Sequence, residues 1–75
     1  MKDIYFQKAK DMARAAAFHD LRRCGKWRGY TVLEPIFTDG ELHFTGIPQY
    51  ILYKDGKLRW TEDMEESFAV MESQG

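Results

Sequence analysis

The side chains best able to do chemistry in this 75-residue chain are one cysteine, two histidines and a knot of basic groups. Arg22-Arg23-Cys24-Gly25-Lys26-Trp27-Arg28 places four cations and a tryptophan within seven positions. Guanidinium and ammonium groups neutralise phosphates, and an indole stacks on a nucleobase. Arg22, Arg23, Lys26, Trp27 and Arg28 are therefore candidate anion-binding or nucleic-acid-binding residues. The plainer reading of the same stretch is a positively charged helix end followed by a solvated turn.

Cys24 sits among these cations, which would favour a thiolate were the sulfur exposed. Its place on a helical stripe points it inward instead, and free cysteine is among the most buried residue types. A nucleophile also needs a base, and His19 is not at facing spacing on that helix. His43 falls diagonal to Glu34 on the sheet, a pairing suited to general acid–base work. No nucleophile or oxyanion hole accompanies it. Two histidines and one cysteine lack metal-ligand spacing, and the six glycines are scattered where a phosphate loop needs them clustered. The chain reads as a non-enzyme without metal or cofactor.

The elements that position these groups are legible in two Asp-Gly pairs. Asp39-Gly40 separates Glu34–Thr38 from Glu41–Thr45, and Asp55-Gly56 separates Tyr50–Lys54 from Lys57–Trp60. A two-residue type I′ turn needs positive φ at both central residues, which Asp tolerates and Gly adopts freely. With both turns of this type, Phe37 faces Leu42, Pro35 faces Phe44, Tyr53 faces Leu58 and Ile51 faces Trp60. Period-two alternation then gathers Leu33, Pro35, Phe37, Leu42, Phe44, Ile51, Tyr53, Leu58 and Trp60 on one face. Pro35 cannot donate to a second neighbour, which marks its strand as an edge. Gly46-Ile47-Pro48-Gln49 forms a tight connection whose Ile47–Pro48 bond is open to either isomer.

The other face presents Tyr30, Val32, Glu34, Ile36, His43, Thr45, Tyr50, Leu52, Lys57 and Arg59. A sheet face turned to water is usually more polar than this. Val32, Ile36, His43, Tyr50 and Leu52 are thus candidate partner-binding residues, for a protein partner or for a second copy in a homodimer. The alternative is ordinary strand propensity on a solvated face.

Before the sheet, good helix formers run from Asp3 to about Cys24, with Gly25 as the C′ residue. Tyr5, Ala9, Met12, Ala13, Ala16 and Cys24 make its apolar stripe. Phe18 and Leu21 do not fit that stripe. After the sheet, a helix over about 62–72 is capped by Thr61 or Asp63, with Met64, Phe68 and Met71 as its core face and 73–75 as a fraying tail.

Composition bounds the rest. Residues 1–30 carry eight Lys/Arg against three Asp, a balance of +5, and residues 31–75 carry three Lys/Arg against nine Asp/Glu, a balance of −6. Such polarity steers partners, or is settled internally where a basic first helix lies beside an acidic second. No apolar window is long enough for a membrane span, the charged N-terminus is unlike a secretory signal, and a single cysteine suits the reducing cytoplasm. In element order alone the chain is similar to the double-stranded-RNA-binding domain. Those domains resemble one another in a Lys-rich start to the second helix, where this chain has Glu62-Asp63-Met64-Glu65-Glu66, which would repel phosphate.

The expectation is one cytoplasmic α+β domain over residues 1–75, ordered α-β-β-β-β-α, with two helices packed on one face of a four-stranded antiparallel meander over about 27–60. Its expected role is a non-catalytic interaction module that self-associates or binds protein through the outer sheet face, without membrane contact. The alternative is nucleic-acid or phosphate binding through Arg22–Arg28.

Overall fold

The structure is a computed structural model that describes residues 1–40 and 46–74. Its elements are α1 (Asp3–Ala15), β1 (Asp20–Trp27), β2 (Tyr30–Ile36), β3 (Ile51–Lys54), β4 (Lys57–Trp60) and α2 (Met64–Gln74). The four strands form one antiparallel sheet in the order β1-β2-β3-β4. The α+β class, the element order and the meander are those expected from the sequence.

The first helix is shorter than its alanine-rich composition suggests. Ala17 takes φ 72°, and its N–H and that of Phe18 donate to the carbonyls of Arg14 and Ala13, both at 3.0 Å. That pair of bonds is a Schellman closure with alanine at the position glycine usually holds. The chain then turns back as β1, so Leu21 is buried and Arg22 exposed by strand alternation. This is why Phe18 and Leu21 lie off the helical stripe: neither is in the helix. Gly25 is a strand residue beside a bulge at Cys24, where the register with β2 shifts between Arg23 and Gly25.

A hairpin turn absent from the sequence reading joins β1 to β2. Arg28 and Gly29 have φ 48° and 84°, the type I′ pattern that Asp55 and Gly56 repeat at 50° and 77°. The second hairpin has the expected register, with Lys54 opposite Lys57, Tyr53 opposite Leu58 and Ile51 opposite Trp60. The first does not. Only Gly40 of the Asp39-Gly40 pair has positive φ, β2 stops at Ile36, and Pro35 faces Leu21. Leu42, His43 and Phe44 lie outside the described residues. Nor is Pro35 on an edge strand, since β2 lies between β1 and β3. It is tolerated because β2–β3 pairing ends at Leu33↔Ile51, leaving Pro35 beyond the last rung. Ile47–Pro48 is trans, as every described peptide bond is.

Two apolar clusters sit on opposite sides of the sheet. Ala9 and Ala13 of α1 pack with Leu21, Leu33 and Ile51, bordered by Phe6, Met12, Phe18, Leu58 and Trp60. Val70 of α2 packs with Val32, Tyr50 and Leu52, bordered by Cys24, Trp27 and Tyr30. Adjacent strand residues point to opposite faces, so Leu33 and Val32, or Ile51 and Leu52, serve different helices. The expectation of both helices on one face is corrected here: the sheet is sandwiched, α1 on one side and α2 on the other. Val32, Leu33, Ile51, Leu52 and Val70 are completely buried, each worth about 1.5–3 kcal/mol of transfer free energy.

Candidate functional site

The sheet face proposed as a contact patch already has its cover. Val32 and Leu52 are fully buried and Tyr50 nearly so, beneath Val70 of α2. Its unusual apolarity reflects an internal partner: with α2 docked Val32 and Leu52 are closed off from outside molecules, and Tyr50 keeps only an edge on two neighbouring surface cavities. Ile36 is half-buried at the end of β2, where its carbonyl accepts from the His19 N–H at 2.9 Å. His43 lies outside the described residues.

Covering that face fixes the rotation of α2. Arg59 donates to Glu66 twice, Nη1 to Oε1 at 2.7 Å and Nη2 to Oε2 at 3.1 Å. The pair raises the affinity of the guanidinium for its proton and lowers the carboxyl below its ordinary range, the Arg59 hydrogen bonds being the largest cause for Glu66. Asp63 caps the helix, its Oδ1 accepting from the Glu66 N–H at 2.8 Å, while Glu66 Oε1 also accepts from the Glu62 N–H at 2.9 Å. The buried Ser67 hydroxyl donates to Thr61 Oγ1 at 2.7 Å. At the far end Gln74 Nε2 donates to the Lys26 carbonyl at 3.2 Å, so Ser73 and Gln74 continue the helix and do not fray.

The buried residues of α2 are Ser67 and Val70. Small side chains let the helix approach a face already filled by Val32, Leu52 and Tyr50. The expected core stripe therefore lies along the flank of the helix, next to its buried side and about half exposed. Met64 is 55% exposed, Phe68 38% and Met71 40%, and spacing i, i+4, i+7 sets them along one side of the helix. No lysine or arginine occurs from Thr61 to Gln74, whereas Glu62, Asp63, Glu65 and Glu72 are exposed around the stripe. The arrangement is an apolar ridge with Glu65 and Glu72 along its solvent side, while Met71 at its far end shares a cavity wall with Arg22 and Arg23.

The basic segment is dispersed by strand geometry. Arg22 Nε donates to Glu34 Oε1 at 2.7 Å, Arg23 lies 5.6 Å over the Phe6 ring of α1, and Lys26 Nζ donates to Thr31 Oγ1 at 2.8 Å. Trp27 stacks with Tyr30 at 6.2 Å, and Arg28 covers the indole at 4.9 Å. Period-two alternation thus parts Arg22 from Arg23, and no common face gathers the five. Cys24 is half-buried, and burial first, with Glu34 second, pushes its thiol up. That opposes thiolate chemistry. His19 accepts from the Thr38 N–H at Nδ1, 3.0 Å away, and meets the Phe37 ring edge-on. Among the described residues no group of three His, Cys, Asp or Glu is placed to hold a metal ion, and no helix is long and apolar enough to cross a membrane.

Comparison with known families, characterised proteins and solved structures finds no match to this chain.

Proposed function

We propose that the protein is a non-catalytic interaction module whose docking surface is the outer ridge of α2, formed by Met64, Phe68 and Met71. The observation that carries the reading is their exposure on a helix whose buried side is made of Ser67 and Val70. Isolated surface apolars are ordinary, but contiguous ones rimmed by charge mark contact sites. Methionine adapts its shape to a partner, and a phenylalanine between two methionines supplies an anchor. The exposed Glu65 and Glu72 on the solvent side of the ridge select the occupant, a basic amphipathic helix that lays its apolar side on the ridge and its lysines or arginines against those two carboxylates. A second α2 is disfavoured because it would bring acid against acid. The cytoplasm, where a lone thiol stays reduced, suits the proposal.

Calorimetric titration with an amphipathic peptide of leucine and lysine tests it, with a leucine–glutamate peptide as control. The proposal expects saturable binding of the basic peptide, weakened about tenfold or more by Phe68→Ser, the scale of a lost hot spot. Equal binding of the two peptides, or indifference to Phe68→Ser, would overturn it.

A further inference from the structure

Beside α2, on the same sheet face, a groove of about 330 Å³ is lined by Tyr30, Lys54, Asp55, Lys57, Leu58 and Arg59. The Asp55-Gly56 turn sets Lys54 directly opposite Lys57, and residues paired across a ladder project to the same side. Like charges directly opposite are unfavourable, yet among the described residues neither lysine has an ion pair. Lys54 Nζ sits 5.3 Å from the centre of the Tyr30 ring, which Arg59 also covers at 4.9 Å. The end of the Lys54 side chain lies alongside Gly29 of the neighbouring turn, at ordinary contact distance from where a Cβ would stand. Arg59 is matched by Glu66, and Asp55 offsets one lysine. Glu62 also approaches Arg59, at 3.9 Å, so the cations of the groove without an ion pair among the described residues are the two lysines, each a flexible donor.

From this geometry we infer that the groove binds a phosphate group, with Lys54 and Lys57 closing on it from the two strands and Tyr30 forming the floor. A phosphate dianion between the two ammonium groups turns their mutual repulsion into two charge-assisted contacts. Both lysines are exposed, and their long unbranched side chains can re-aim toward a ligand. The site is separate from the α2 ridge and does not rest on it. It also differs from the Arg22–Arg28 segment, whose cations are directed elsewhere.

The test is amide NMR titration of the full chain, at low and at moderate salt, with pyrophosphate in one arm and single-stranded oligothymidylate in the other. Saturable shifts at Gly29, Lys54, Gly56 and Lys57 are expected, weakening with salt. Lys54→Gln with Lys57→Gln lowers affinity about tenfold or more, the loss of a charge-assisted contact. Lys8→Gln, on the exposed side of α1, leaves it within about twofold. The double variant melts no lower than wild type, because it loses a repulsion. Tighter binding of the oligonucleotide assigns the groove to chain phosphates, and equal or weaker binding assigns it to a small phosphorylated ligand. Absence of saturable shifts in both arms, or equal losses in Lys8→Gln, would overturn the inference.

Discussion

Arg59 on β4 grips Glu66 on α2 with two hydrogen bonds of 2.7 and 3.1 Å, and this clasp determines which side of the second helix meets the sheet. Glu66 is mostly covered and Arg59 about two-thirds covered, so the pair is less screened than an ordinary surface bridge. Glu66 Oε1 also serves the Glu62 N–H, which ties the helix start to the same carboxylate.

Glu66→Gln is expected to cost about 1–2 kcal/mol at neutral pH, the range for a partly buried charged hydrogen bond after allowance for exposure. The folded-state carboxyl is lowered from its ordinary value near 4.5. Its contribution is therefore complete above that value and declines as pH falls through the lower folded value. Urea unfolding of wild type and variant between neutral pH and about pH 3 should show the stability gap narrowing on the acid side. A gap that widens there would mean the pair does not bind as described.

Val70 and Phe68 separate the two sides of α2. Val70→Ala should destabilise by about 1–3 kcal/mol, since it opens space beside Val32 and Leu52. Phe68→Ala should cost about 1–2 kcal/mol, below the roughly 3–5 kcal/mol of a fully buried phenylalanine, because Phe68 is 38% exposed. Paired denaturation curves read both, and a Phe68→Ala loss of about 3 kcal/mol or more would show that Phe68 faces the sheet.

Ala17 holds a left-handed conformation at the end of α1. Ala17→Gly relieves that strain and is expected to raise stability by about 0.5–1 kcal/mol, net of the larger entropy glycine has in the unfolded chain. Thermal melts check it; a lower melting temperature would count against the Schellman closure.

Much of the fold was legible because local chemistry and tertiary structure agree at particular residues. Asp55-Gly56 dictated its hairpin and register, the choice of helix cap was narrowed to Thr61 or Asp63, and alternation from Ile51 to Trp60 gave its two faces. The misreadings share a cause. Alanines and arginines favour helix, and that propensity ran past Ala17, where nothing but a positive φ ends the helix. The signal was present: Phe18 and Leu21 fell off the stripe, and Trp27-Arg28-Gly29-Tyr30 has a glycine between strand-forming aromatics. With β1 counted as helix, its hairpin with β2 was missed, and the apolar face of Val32 and Leu52 had no internal partner. The rotation of α2 was less legible. Met64, Phe68 and Met71 are the more hydrophobic stripe, and contacts outside the helix, Arg59–Glu66, Ser67–Thr61 and Gln74–Lys26, hold Ser67 and Val70 inward.

The central claim is that Met64, Phe68 and Met71 form a free ridge that receives a basic amphipathic helix, and methionine methyl NMR reads that ridge directly. Met64 and Met71 lie on it, whereas Met12 packs against the α1 core on the opposite face of the sheet. With selectively labelled methyl groups, titration of the leucine–lysine peptide should move the Met64 and Met71 signals together and saturably while Met12 stays in place. Shifts confined to Met12, or of equal size at all three, would contradict the account.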